Sequence, residues 1–88
     1  MDAYRVEYEP GWDKYFEELD ASVQERIYKK ILQLQAGIQG RHLKHGSPYF
    51  VEEIGGYRIG YKSDDLTKIR TVYFAGSHKN YEKWYKSQ

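Results

Sequence analysis

Tyr49-Phe50-Val51-Glu52-Glu53-Ile54-Gly55-Gly56-Tyr57-Arg58-Ile59-Gly60-Tyr61-Lys62 holds two strand-length runs separated by a pair of glycines. Residues 49–54 and 57–62 are rich in aromatic and β-branched side chains. Gly55-Gly56 supplies the backbone freedom that a tight hairpin turn demands. The stretch therefore predicts an antiparallel hairpin. In its second strand Tyr57, Ile59 and Tyr61 point one way, and Arg58, Gly60 and Lys62 point the other. The apolar set needs a covering layer. The other set presents a cation, a gap and a second cation, and the gap at Gly60 would let a ligand backbone come close.

Reading outward extends this hairpin into a sheet. Ser63-Asp64-Asp65-Leu66-Thr67 reads as a second turn, and Lys68 to Ala75 as the next strand. From His78 to Lys86, Tyr81, Trp84 and Tyr85 recur at helical spacing, with Lys79, Lys83 and Lys86 on another face. A short docked helix is expected there. Upstream, Tyr4, Val6 and Tyr8 alternate along a first strand that Pro10-Gly11 ends. Trp12, Tyr15, Phe16 and Leu19 then fit an amphipathic helix of about two turns. Ser22-x-x-Glu25 reads as a capping box that opens a second helix, whose stripe is Val23, Ile27, Ile31 and Leu34. Gly37 or Gly40 would stop it.

The order is β-α-α-β-β-β plus a short C-terminal helix. This predicts an α+β fold in which a mainly antiparallel four-stranded sheet packs against a helical hairpin of about residues 11–36. Trp12, Phe16, Leu19, Ile27, Ile31, Leu34, Ile59 and Tyr61 should share the core.

A chain of 88 residues supports one domain, expected over residues 1–88, with one modest core. It has no cysteine, so disulfides and thiolate zinc sites are excluded. No apolar run approaches a membrane span, and the polar start is unlike a signal peptide, so a cytoplasmic protein is expected. The formal net charge is +1, but the charges are unevenly placed. Residues 1–40 hold five Lys/Arg against eight Asp/Glu, and residues 41–88 hold nine against five. The basic half also holds His42, His45 and His78, and such asymmetry suggests one basic and one acidic face. The ten tyrosines suit both core packing and stacking on bases.

Arg58 in mid-strand and His78 just past the last strand are the chemistry-bearing pair. Cleavage of RNA through its own 2′-hydroxyl needs a base for that hydroxyl, a cation for the charge on phosphorus and an acid for the leaving 5′-oxygen. Histidine serves the first or third role, and arginine is a fixed fork for phosphate. Lys62 and Lys79 would add phosphate contacts, although Lys62 also suits a plain solvated strand face. The loop residues Arg41, His42, Lys44 and His45 form a basic cluster around Leu43 that fits either RNA-backbone contacts or a solvated loop. His42-x-x-His45 lacks a third ligand at suitable spacing, so no metal or other cofactor is expected.

These features together resemble the RelE/ParE toxin superfamily of toxin–antitoxin modules. The resemblance rests on the element order, the Leu43-Lys44 step, the run Ile54-Gly55-Gly56-Tyr57-Arg58-Ile59-Gly60-Tyr61, and the ending His78-Lys79-x-Tyr81. It implies a RelE-like mRNA interferase: an endoribonuclease that cuts mRNA in the ribosomal A site, inhibits translation as a stress response, and is silenced by a RelB-like antitoxin. It assigns Arg58 to the phosphate, His78 to proton transfer, and Tyr81 to base stacking or a share in that transfer. Basic residues common on the preceding strand of RelE-like nucleases are replaced here by Glu52 and Glu53, either of which is a possible general base. A ParE-like inhibitor of DNA gyrase, and a member that binds RNA or antitoxin without cleaving, are the alternatives.

Overall fold

The apolar side of the central hairpin is buried as its alternation requires. In the computed structural model, which describes residues 3–38, 41–42 (backbone only) and 48–87, Ile59 and Tyr61 are both inaccessible to solvent. The elements are β1 (Arg5–Tyr8), a 3-10 turn (Phe16–Glu18), α1 (Ala21–Gln35), β2 (Arg41–His42), β3 (Phe50–Ile54), β4 (Tyr57–Asp64), β5 (Ile69–Ser77) and α2 (His78–Lys86). Strands β3, β4 and β5 form the expected antiparallel meander, and β1 joins it parallel to β5. The order across the sheet is β1-β5-β4-β3-β2. Gly55-Gly56 makes the two-residue turn between the paired Ile54 and Tyr57, with Gly55 at a φ of +58°.

Three details differ from the sequence expectation within the same α+β class. A two-residue strand, β2, extends the sheet to five strands by pairing Arg41 with Val51 and His42 with Phe50. The segment around Trp12 to Leu19 is a run of turns closed by one 3-10 turn. Its aromatic residues hold it to the core: Trp12 lies 5.0 Å from Phe16, and Phe16 lies 5.2 Å from Tyr28 of α1. Packing on both sides satisfies these rings without a regular helix. Third, α1 begins at Ala21 with Asp20 at its N-cap, so the Ser22–Glu25 box is not the cap. The C-terminus ends as expected near Gly37, where Gly37 N–H donates to Leu34 O (3.2 Å) and Ile38 N–H to Gln33 O (3.2 Å), the Schellman pattern.

The sheet is covered on both faces. On one, Val23, Ile27, Ile31 and Leu34 of α1 meet Ile59, Tyr61, Val72 and Ala75, with Phe16 buried and Trp12 and Leu19 packed alongside. The eight expected core residues all lie in this cluster. On the other face, Val51, Phe74 and Tyr81 form a second cluster with Tyr15 and Trp84. A register shift between Gly60 and Tyr61 allows this. Tyr61 pairs with Val72 and Gly60 with Phe74, so Tyr73 is the extra residue and Phe74 turns toward α2.

Gly60 is where α2 docks. A Cβ built there would lie 2.9 Å from Trp84 Cη2 and 3.0 Å from Cζ3. The gap expected to admit a ligand backbone is filled by this indole, which stacks on Phe74 at 5.4 Å. The amphipathic tail buries its aromatic stripe in the space that glycine leaves.

Arg70 is fully buried in the α1-facing layer. Its guanidinium lies 4.0 Å from the Tyr4 ring. It donates to Leu34 O (3.0 Å), Ile38 O and Ser63 Oγ (3.1 Å). One cation thus satisfies carbonyls at the negative end of α1 and ties the helix to β4, β5 and the N-terminal segment.

Candidate functional site

Strand pairing brings Arg58 and Glu53 together. They are direct partners across β3 and β4, on the face opposite Ile59. Arg58 Nη2 lies 3.4 Å from Glu53 Oε2, and Arg58 Nη1 donates to Gly55 O (3.3 Å) and Tyr57 O (3.2 Å). The Arg58 side chain is only 16 % exposed, against 45 % for Glu53. The turn therefore holds the guanidinium from behind, and the carboxylate covers it from the solvent side.

His78 enters the same corner through the backbone. Arg58 pairs with Gly76 in β5, and the chain turns into α2 two residues later. Ser77 caps α2, its Oγ accepting from Asn80 N–H at 3.2 Å. His78 N–H donates to Gly56 O at 2.9 Å, fastening the start of α2 to the β3–β4 turn. The imidazole is half exposed, with Nε2 3.4 Å from Glu82 Oε1 one helical turn on. The corner thus combines a fixed guanidinium, an accessible carboxylate and an accessible imidazole.

The other expected site residues are placed differently. Glu52 pairs with Ile59 and so faces α1, where Lys30 Nζ is 3.8 Å from its Oε1; its Oε2 is buried without a hydrogen bond. Neighbours in a strand point to opposite faces, so only one glutamate of the pair can accompany Arg58. Tyr81 is 9 % exposed, with its ring 5.9 Å from Phe74 and 6.3 Å from Tyr85. It anchors α2, and its ring is covered rather than offered to a base. Its centroid lies 6.5 Å from that of His78, so it backs the imidazole. Lys79 is exposed on α2, as are Lys83 and Lys86.

Lys62 lies four residues beyond Arg58 along β4, roughly 13 Å away at strand rise. Its Nζ sits 5.0 Å from the Tyr49 ring and 4.9 Å from the Tyr73 ring. It belongs to a separate surface. Lys44 and His45 lie outside the described residues, as do the side chains of Arg41 and His42. Among the described residues no group of three or more His, Asp or Glu is placed to hold a metal ion. No helix among them is long and apolar enough to cross a membrane.

Sequence reasoning missed Tyr49 and Tyr73 as the walls around Lys62, and Arg70 as the tie at the end of α1. A strict alternation count from Val72 puts Arg70 on the buried face, and that was the available signal. The bulge at Tyr73 was not visible in any pattern.

No family model matches the chain, and no curated protein matches it. Solved structures do. A double arginine-to-alanine variant of E. coli toxin RelE in the free state aligns with a TM-score of 0.74 at 21 % identity, covering 93 % of this chain and 90 % of that one. The same variant in complex with an antitoxin RelBc peptide gives 0.74 at 19 % identity, over 98 % and 95 %. The toxin–antitoxin complex RelBE2 from Mycobacterium tuberculosis gives 0.72 at 16 % identity, over 85 % and 98 %. At these identities the likeness is one of architecture, and this chain has the fold of the RelE toxins.

Proposed function

We propose that this protein is the toxin of a toxin–antitoxin pair, a ribosome-dependent mRNA endonuclease restrained by a RelB-like antitoxin. The observation that supports the reading is the Arg58–Glu53 pair beside the β3–β4 turn to which the backbone of His78 is fastened, in a chain with the RelE fold. Arg58 holds the non-bridging oxygens of the scissile phosphate. Glu53 releases Arg58 as the phosphate arrives and accepts the proton of the 2′-hydroxyl. That oxygen attacks phosphorus, the bond to the 5′-oxygen breaks, and His78 in its protonated form gives its proton to the leaving oxygen. The products are a 2′,3′-cyclic phosphate and a 5′-hydroxyl. No step requires a metal. Tyr81 is a positioning residue for His78, and Lys79 with the basic residues Arg41, His42, Lys44 and His45 steers the RNA backbone.

The Glu53–Arg58 pair also favours a second reading, a member that binds RNA or antitoxin without cutting, because the phosphate cradle is already occupied. Single-turnover cleavage on programmed ribosomes separates the two. Arg58→Ala and His78→Ala are each expected to lower the rate about 10²-fold or more, with melting temperatures close to that of the parent. Binding without any cleavage by the parent chain supports the second reading. Full activity in both variants overturns the site.

A further inference from the structure

The β3–β4 turn has a second guanidinium beside it that the chemistry above does not use. Arg26 is exposed on α1 and reaches over the turn, so that a Cβ built on Gly55 would lie 3.1 Å from its Nη2. Gly55 leaves room for it, and the φ of +58° there is one that glycine adopts without cost. The carbonyl of the same glycine accepts from Arg58 Nη1 at 3.3 Å. Arg58 comes from the face opposite Ile59, and Arg26 from the helix that covers Ile59. The hairpin tip thus has one guanidinium on each side, while Gly56 O holds the start of α2 through His78 N–H.

Arg26 is the cation of this region without a counter-ion. Every carboxylate on α1 and β3 has another partner: Glu25 pairs with Lys29 (3.5 Å), Glu52 with Lys30 (3.8 Å) and Glu53 with Arg58 (3.4 Å). Arg26 forms no ion pair among the described residues. Like charges held at one turn repel, and an anion lying against both relieves that repulsion. Strand β3 brings no cation of its own, so a second positive contact beside Arg58 has to come from outside the hairpin.

We propose that Arg26 is a second RNA contact of the Arg58 corner, binding the phosphate next to the scissile one where the strand crosses the β3–β4 turn. The proposal rests on the nuclease reading above and adds a substrate contact to it. A guanidinium suits the role because its planar fork grips phosphate through two parallel N–H bonds and keeps its charge at any working pH. An RNA strand carries a negative charge at each nucleotide, so one chain can satisfy both forks. A contact to a phosphate that does not react is made equally before and during bond breaking, so it adds affinity without adding rate.

The test uses the full chain on programmed ribosomes. Affinity is measured on an mRNA with a 2′-deoxyribose at the scissile nucleotide, and single-turnover cleavage on its all-ribose counterpart. Arg26→Gln keeps most of the stem over Gly55 and a good helix former on an exposed site, so it should fold. It is expected to weaken binding about tenfold and to flatten the slope of log affinity against log salt by about 0.7, the share of one phosphate on a single strand. The rate at saturation should fall less than about threefold, in contrast to Arg58→Ala. A neutral methylphosphonate, placed in turn on either side of the scissile phosphate, identifies the contact. At one of the two positions it should weaken the parent and add nothing to Arg26→Gln. Additive losses at both positions overturn the mRNA contact and assign the cation to ribosomal RNA. A slower rate at saturation with unchanged affinity and salt slope also overturns it, because Arg26 then only braces the turn. Unchanged affinity and rate in Arg26→Gln, with Arg58→Ala still slow, overturn the proposal and leave the nuclease reading standing. If the parent binds but does not cleave, the nuclease reading falls and the methylphosphonate pattern still decides the contact. Absence of any binding by the parent overturns both.

Discussion

Replacing Glu53 with glutamine separates two effects that the geometry assigns to one carboxylate. Glu53 sits 3.4 Å from Arg58 and is nearly half exposed. An ion pair this open contributes about 0.2–1 kcal/mol, so releasing it returns at most about 1 kcal/mol to phosphate binding. Removing a negative charge about 4 Å from the incoming phosphate returns about 1 kcal/mol more at the dielectric of water. Together these give about 2 kcal/mol, close to thirtyfold in affinity. Loss of the base acts in the opposite direction on the chemical step, by about 10²-fold or more. Glu53→Gln should therefore bind a non-cleavable 2′-deoxy substrate up to thirtyfold more tightly and cleave the ribose substrate about 10²-fold more slowly once bound. The assay is fluorescence anisotropy for affinity beside single-turnover cleavage on programmed ribosomes. An undiminished rate removes Glu53 as the base. Unchanged affinity shows that its pair with Arg58 does not guard the phosphate site. The parallel Glu52→Gln change should leave both quantities alone, because Glu52 faces α1 and Lys30.

Three further outcomes are expected. Gly60→Ala drives a methyl to 2.9 Å from the Trp84 ring, so it should destabilise the fold by about 1–3 kcal/mol and loosen α2, seen as faster amide exchange from Tyr81 to Lys86. Arg70→Met strips the carbonyls of Leu34 and Ile38 of their donor and should cost about 3–5 kcal/mol in urea unfolding, far more than Arg5→Met on the exposed edge. The Tyr4 hydroxyl first, and Ser63 second, hold the Asp65 carboxyl below its ordinary value. A depressed carboxylate stabilises the fold above its unfolded pKa, and that contribution is lost as pH falls through the folded value. Acid melting curves of Tyr4→Phe should therefore depend less on pH below about pH 4 than those of the parent.

Strand alternation and turn chemistry carried most of the fold. Tyr57, Ile59 and Tyr61 share a face because a strand has period two, and burial then leaves one choice of orientation. The stripe on α1 and the glycine turn at Gly55-Gly56 follow from equally local rules. That is why the meander, the core and the placement of Arg58 on the face opposite Ile59 were legible in the residues alone, whereas the open face expected for Arg58 is covered by α2 and Glu53, leaving its side chain 16 % exposed. What failed was local in a different sense. The Trp12 to Leu19 segment has helical spacing, but its rings are held by contacts from β1 and α1, so no regular helix is needed. The gap at Gly60 looked like room for a ligand because nothing in β4 says that Trp84, twenty-four residues away in α2, will occupy it. Glu52 and Glu53 are interchangeable as sequence, and only pairing with β4 assigns one to Lys30 and the other to Arg58. Tyr81 has the composition of a stacking residue and the position of a core anchor. The sequence by itself determined which faces are apolar and where the chain turns, since those depend on neighbours a few bonds away. Which polar groups meet, and which surfaces stay open, were decided by the tertiary structure, because those contacts join residues that only the folded sheet and its two covering layers bring within reach.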